Sequence, residues 1–424
     1  MVTMPQTGRS TTARLLAAHM LASVLIQSVW WGVSALMAVL ARKRFGAGDW
    51  QTVMITAAVP TLLIMSVFWG DLLRRVSMRR YLVVHAICVM APLTAAAFGR
   101  EFWHLFICNA IVAVGVAGWS PAAGDIWKQL YHDRIRGRAF ALITSAQLIG
   151  ITVISYVIGR WLDVDQNSFR IYLPAAAVLY GAGILLLRRL VPATGPAAVE
   201  GGVPGGDRSL GLRRLVQPVL HLRQVLRADR TFYRYETAFM TYGVGWMICN
   251  ALLPVLATDR LKMSYTEFAG ATQVVYPLCM LVMMLPMGWV MDRLGPTRTS
   301  GLAFAWLTLY PLGLWFAPTV TWVGVATAFY GTAMAGVQIG WMLGPVTLAP
   351  SREKVSQYVA IHTTLVGLRG IVAQGIGMLL YRLTGSFAWP FAIAAVAFAW
   401  ASWQMWRLYE SMRGGGALQH KSAE

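Results

Sequence analysis

Three ionisable residues sit where an apolar chain can least tolerate them. Arg369 lies about fourteen residues into an apolar run at 356–381, which at 1.5 Å per residue puts it near the middle of a membrane-length helix. His362 is seven residues earlier, so the two share one helical face. A charge at that depth is costly, and its presence points to work on a substrate or a proton. Two cationic groups on one face can bind an anionic group or take part in proton coupling. The plainer alternative is structural, with Arg369 satisfying exposed backbone carbonyls or a buried polar partner. Glu236 lies near the start of another apolar run, 233–257. Its depth is shallower than that of Arg369 and closer to that of His362. It is read either as a proton-carrying acid or as an interfacial residue facing the arginines of 223–234.

The elements that must carry these residues follow from composition. Of the 424 residues, 57% are hydrophobic and only 12% are charged, about half the charged share of a soluble domain, so lipid is the solvent this composition suits. The 18 tryptophans suit membrane interfaces. A spanning helix needs about 20 mostly apolar residues. Twelve runs qualify, at 17–40, 51–70, 81–98, 104–126, 139–162, 170–190, 233–257, 267–291, 299–317, 321–346, 356–381 and 389–408. The expected fold is an all-α integral membrane protein with twelve transmembrane helices in two pseudo-symmetric six-helix bundles. The bundles are placed at 1–190 and 231–424, the latter ending in a short tail. The first run is too long for a signal peptide and is expected to remain as the first span.

Between the bundles, 191–230 reads as a cytoplasmic linker. Its first part, 191–208, is rich in Gly and Pro. Its second part, 209–230, mixes Leu and Val with Arg213, Arg214, Arg223, Arg227 and Arg230. That part is either a basic amphipathic helix on the inner leaflet or a solvated connector.

The net charge of +19 sits in short loops between the apolar runs. Topogenesis and anionic headgroups account for such charge, and nucleic acid is not expected as a partner. With both ends inside, 26 of the 36 Lys and Arg residues fall on the cytoplasmic side, 9 fall opposite, and Arg369 lies within a span. Both termini and the central loop are therefore expected in the cytoplasm of a multi-pass protein of the cytoplasmic membrane. The four cysteines, Cys88, Cys108, Cys249 and Cys279, all fall in apolar runs and none forms a C-x-x-C pair. They read as small buried residues, and neither a metal nor any cofactor is expected.

An internal repeat supports the two-bundle layout. The stretch "SVFWGDLLRRVSMRR" at 66–80 matches "MLPMGWVMDRLGPTR" at 284–298 at an offset of 218, aligning Gly70 with Gly288, Arg75 with Arg293 and Arg80 with Arg298. Pro92 with Pro311, Trp103 with Trp322 and Ala141 with Ala360 recur at 219. A nearly constant offset across several runs indicates duplication of a six-helix unit.

The pattern G-x-x-x-D-R-x-G-x-x-R in these connections resembles the signature loop of the major facilitator superfamily. Gly288, Asp292, Arg293, Gly295 and Arg298 match it. The first copy departs, with Arg74 in place of the acid and Ser77 in place of the second Gly. The stretch "HDRIRGRAFAL" at 132–142 also resembles the family's loop before the fifth span. The resemblance implies a gating loop formed by Gly70, Arg75, Arg79, Arg80 and Asp125 in one half and by Gly288 to Arg298 in the other. Asp125 would pair with Arg75 or Arg79. Charge-assisted bonds to neighbouring helix ends would hold one state of an alternating-access cycle. The plainer reading is a topogenic basic loop.

The resemblance also implies a central cavity lined by spans one, four, seven and ten. Candidates there are Gln27 and Trp31, Trp119, the i, i+4, i+8 stripe Tyr242, Trp246 and Asn250, and Gln338 with Trp341. Aromatics at such spacing also serve as plain packing. The cavity would be largely neutral around one positive centre, suited to an anionic or amphipathic small-molecule solute. No phosphate-binding G-x-x-x-x-G-K-[ST] loop is present, so the expected activity is secondary transport rather than an ATP-driven one, with protons as the coupling ion. A monomer in the lipid bilayer is expected. A transporter-like scaffold or sensor is the alternative. A membrane-embedded enzyme is a more distant one, because the sequence has no H-E-x-x-H motif or paired membrane carboxylates.

Overall fold

A computed structural model describes residues 9–192, 223–351 and 354–421. Most of the expected linker and most of the basic segment after it lie outside the described residues. Every regular element among the described residues is helical. Apolar chain without water must satisfy its backbone groups internally, and a helix does so within one segment.

In chain order, α1 (Arg9–Ser23) runs through a π-helical stretch at Val24–Ser28 into α2 (Val29–Phe45), which ends on left-handed Gly46. Helices α3 (Asp49–Leu62) and α4 (Ser66–Arg75) are joined by a short 3-10 turn. Then come α5 (Met78–Ala96), α6 (Phe102–Ala117), α7 (Trp119–Leu130), α8 (Asp133–Val164) and α9 (Phe169–Leu190). After the central segment, α10 (Arg230–Val255) is followed by the one-turn α11 (Tyr265–Phe268) and the long α12 (Val275–Leu307). The chain ends with α13 (Leu309–Phe316), α14 (Val320–Leu348), α15 (Val355–Thr384) and α16 (Ala388–Lys421).

Eight stretches among the described residues are long and apolar enough to cross a membrane. One of them, Tyr265–Phe316, has 52 residues and contains non-helical backbone at Gly295, followed by Pro296. At 1.5 Å per residue it is more than twice as long as the roughly 30 Å hydrocarbon layer. The apolar runs at 51–70, 81–98 and 389–408 are helical as well, in α3–α4, α5 and α16.

The chain forms two compact units. The first comprises Met1–Gly48, Leu62–Val199 and Ser264–Pro277; the second comprises Asp49–Thr61, Glu200–Met263 and Leu278–Glu424. Each unit thus includes a short segment from the other end of the sequence. In the first unit, Asp163 at the end of α8 accepts hydrogen bonds from the backbone N–H groups of Tyr265 and Thr266, both at 2.8 Å. It thereby satisfies donors that the first turn of α11 leaves open. Ser264 and Glu267 add a reciprocal capping box. In the second unit, Asp49 at the start of α3 pairs with Arg382 of α15 at 3.1 Å.

Candidate functional site

The site grows out of the contact between α10 and α15. The two helices run in the same direction, and their contacts recur along both. At the first rung Asp229 caps α10, accepting from the Phe232 N–H at 2.9 Å. The same carboxylate accepts from the Tyr358 hydroxyl at 2.8 Å, which fixes the register of the two helices. Phe232, Tyr358 and Ile361 form the apolar core beneath it.

At the second rung Glu236 meets His362. The imidazole Nδ1 lies 2.9 and 3.0 Å from the two carboxylate oxygens, and both residues are only 2% exposed. The Phe239 and Trp341 rings stand edge-on to the imidazole at 5.2 and 5.5 Å. A paired acid and base inside an aromatic wall can hold or release a proton without exposing an unpaired charge. Glu236 is thus buried among apolar rings rather than facing the arginines of 223–234.

The third rung holds Arg369. Its Nη1 donates to the Phe239 carbonyl, and the guanidinium lies 5.4 Å from the Tyr242 ring centroid. This contact is the backbone-satisfying arrangement considered from the sequence. It also keeps a fixed positive charge beside an aromatic face. At the fourth rung Gln374 donates to Met247 Sδ at 3.5 Å and exchanges hydrogen bonds with Thr56 of α3.

The remaining candidates of this unit pack around the seam. Tyr242 stacks on Phe304 at 4.7 Å, and the Trp246 indole N–H donates to the Tyr330 hydroxyl at 2.8 Å. Trp341 reaches His362. Gln338, three residues before it, and Asn250 are half-buried.

In the first unit, Gln27 falls in the π-helical stretch, a local distortion often found at functional positions. Trp31 is largely exposed. Trp119 follows the break between α6 and α7 and faces His85 at 6.2 Å. His85 was not singled out from the sequence; it is buried and bonded to the Tyr180 hydroxyl at 2.7 Å. His19 is a second such residue, 3.0 Å from the Tyr131 hydroxyl. Burial pushes the Tyr131 phenol up to about 12. The phenol therefore stays protonated, and the two groups share one hydrogen bond.

The two loop copies differ in backbone as well as in sequence. Gly295 has φ 74° and ψ 174°, a region essentially closed to residues with a Cβ, which accounts for the second Gly of that copy. Its counterpart Ser77 has φ −65° and ψ 148°, ordinary extended backbone open to any residue. In the first copy Arg75 pairs with Asp71 one turn earlier, and Arg79 donates to the Val191 carbonyl at 3.0 Å. The first copy thus carries an acid directly after Gly70, and that acid pairs within its own helix. Arg80 is exposed and Asp125 is half-buried on α7. In the second copy Arg293 lies 3.8 Å over Trp289, and Arg298 lies 3.9 Å over Tyr409 of α16. Gly288 is half-buried and Asp292 is exposed.

Among the described residues, no group of three or more His, Cys, Asp or Glu side chains could hold a metal ion.

A gallate transporter from Pseudomonas putida is 22% identical over 406 residues, covering 87% of this chain and 84% of the relative. Among solved structures, a POT family transporter in complex with 5-aminolevulinic acid superposes with a TM-score of 0.75 at 14% identity, covering 94% of this chain and 96% of that one. The nucleoside transporter NupG superposes at 0.73 with 14% identity, covering 93% and 99%. These structural likenesses establish the fold. The sequence profile of the Major Facilitator Superfamily matches residues 19–373, most of the chain. The protein is a multi-pass membrane protein with a transport rather than an enzymatic role, and it belongs to the Major Facilitator Superfamily.

Proposed function

We propose that this protein is a secondary transporter that carries a small organic anion across the cytoplasmic membrane by alternating access. On this reading the chain has twelve spans in two six-helix bundles, 1–190 and 231–424, joined by the cytoplasmic linker, with both termini inside. The charge bias of the loops supports that orientation.

The observation that carries the reading is the polar seam on α10 and α15. Glu236, His362 and Arg369 form two successive rungs between the same two helices. Arg369 is the anchor for the solute's anionic group. The Glu236–His362 pair is the proton-exchange site one rung away. Protonating Glu236 neutralises the acid that holds His362, so proton load and solute charge act on neighbouring rungs. Within this unit Tyr242, Trp246, Asn250, Gln338 and Trp341 are the proposed solute-contact candidates; Gln27, Trp31 and Trp119 are the candidates of the first unit. The gallate transporter relative supports an aromatic carboxylate as the first solute to test.

The experiment is uptake of radiolabelled gallate and other small carboxylates into proteoliposomes, with and without an imposed pH gradient. Wild type should accumulate a carboxylate when the gradient is present. Arg369→Ala should abolish uptake while retaining the wild-type elution profile and melting behaviour. Full uptake by that variant defeats the assignment of Arg369. Accumulation that ignores the pH gradient defeats proton coupling.

A further inference from the structure

The guanidinium of Arg369 occupies space that almost any other residue at one position of α10 would fill. A Cβ built on Gly243 would overlap the guanidinium carbon, Nη1 and Nε of Arg369. No other group comes as close to that point. Gly243 is also one turn after Phe239, whose carbonyl accepts from Arg369 Nη1, and next to Tyr242, whose ring faces the charge. Three features within about one turn of one helix therefore meet one side chain: an acceptor, an aromatic face and a missing Cβ.

Helix geometry explains why the absence matters. The residue that follows an accepting carbonyl by four positions normally projects over that carbonyl and screens it from the side. With Gly at 243, the flank of α10 stays open beside Phe239, and a planar cation can lie flat against the backbone. Glycine in a helix interior is disfavoured by about 1 kcal/mol relative to Ala, so a notch of this kind is unfavourable for the helix taken alone.

We propose that Gly243 is the positioning residue for Arg369. Its notch seats the guanidinium against the Phe239 carbonyl and the Tyr242 ring and sets where the positive charge of the site lies. The proposal rests on the reading of Arg369 as the anion anchor for its consequence in transport, although the seating itself does not. The atoms that would be displaced are the far end of a flexible side chain. Gly243→Ala therefore expels the guanidinium without forcing α10 and α15 apart.

The test is a two-residue cycle on the full-length purified protein with Gly243→Ala, Arg369→Gln and the double variant. Melting is measured without solute, and modification of Arg369 by 2,3-butanedione is followed by peptide mass spectrometry. Gly243→Ala should lower the melting temperature by about 2 °C or more when Arg369 is present. In the Arg369→Gln background the same change should be neutral or stabilising, because only the helix preference for Ala remains. Labelling of Arg369 should rise several-fold in Gly243→Ala. Gallate uptake by that variant should show a KM raised about tenfold, the equivalent of one lost charge-assisted contact, with a smaller change in turnover.

An equal melting loss in both backgrounds overturns the proposal, as does unchanged labelling. If neither Gly243→Ala nor the double variant folds, the clash lies with a group other than Arg369, and the proposal fails. A wild-type protein that carries no carboxylate defeats the transport reading alone, because melting and labelling still decide the role of Gly243.

Discussion

Glu236 holds His362 by both carboxylate oxygens, at 2.9 and 3.0 Å from a single imidazole nitrogen, with both side chains almost wholly enclosed. Each partner is therefore the main source of the other's polar satisfaction. Removing one of them strands the other.

This arrangement predicts a strongly non-additive pair. Glu236→Ala or His362→Ala alone should destabilise the protein by about 3 kcal/mol, because each leaves an unpaired buried group. Glu236→Leu with His362→Phe should recover much of that loss and should still abolish proton-dependent uptake. Thermal melting of the single and double variants, read beside the flux assay, checks both parts. Additive melting losses would mean that the two groups do not depend on each other.

The two signature loops should respond unequally to loss of their marker residues. Gly295→Ala forces a Cβ into φ 74° and ψ 174° and should cost about 1–3 kcal/mol. Ser77→Ala at φ −65° and ψ 148° should stay within about 1 kcal/mol, since its side chain makes no cap hydrogen bond. Melting temperatures of the two variants decide the matter. Equal losses would contradict the asymmetry.

Asp229 serves two helices at once, as the cap of α10 and as acceptor for Tyr358. Asp229→Asn keeps the cap and should be mild, whereas Asp229→Ala should cost about 1–2 kcal/mol from the cap and the lost partner of Tyr358 together. Tyr358→Phe should reproduce only the smaller share. The order of the three melting temperatures tests the assignment.

Arg75 pairs with Asp71 one turn earlier on the same helix. Asp71 to Arg75 is a partly exposed i, i+4 pair, so Asp71→Asn should change stability by under about 1 kcal/mol. Its effect should fall on transport turnover if the loop gates, with wild-type uptake at unchanged melting marking the pair as topogenic only. Arg298 stacks on Tyr409, and Tyr409→Leu should cost about 0.5–1 kcal/mol.

Much of the architecture can be read in the chain because lipid imposes a simple rule on composition. The apolar runs become helices, and a duplicated register exposes the paired loops. The meeting of Glu236 with His362 was legible only in part: depth made His362 the nearer group, but spacing along the chain did not pair the two. Part of what stayed hidden has no polar signature of its own. The acceptor for Arg369 is a backbone carbonyl, identical at every position, and Gly243 contributes only an absence. The Asp229–Tyr358 contact depends on helix register, which spacing within one helix does not report. Asp71 escaped notice because it stands outside the position at which the motif carries its acid. His85 and Tyr180 belong to different helices, and only packing joins them.

Asp49–Thr61 groups with residues translated much later, and Arg382 and Gln374 of α15 find Asp49 and Thr56 there. Ser264–Pro277 makes the reciprocal exchange. The order of synthesis and the order of completion therefore differ. The first compact unit is unfinished when its own stretch of chain ends, and the second lacks a piece if produced without the start of the gene. Fragments cut at the central segment are each missing a partner, and complementation requires both to be present in one membrane. A chain exchanged in this way should yield neither part in its native form from a fragment expressed alone.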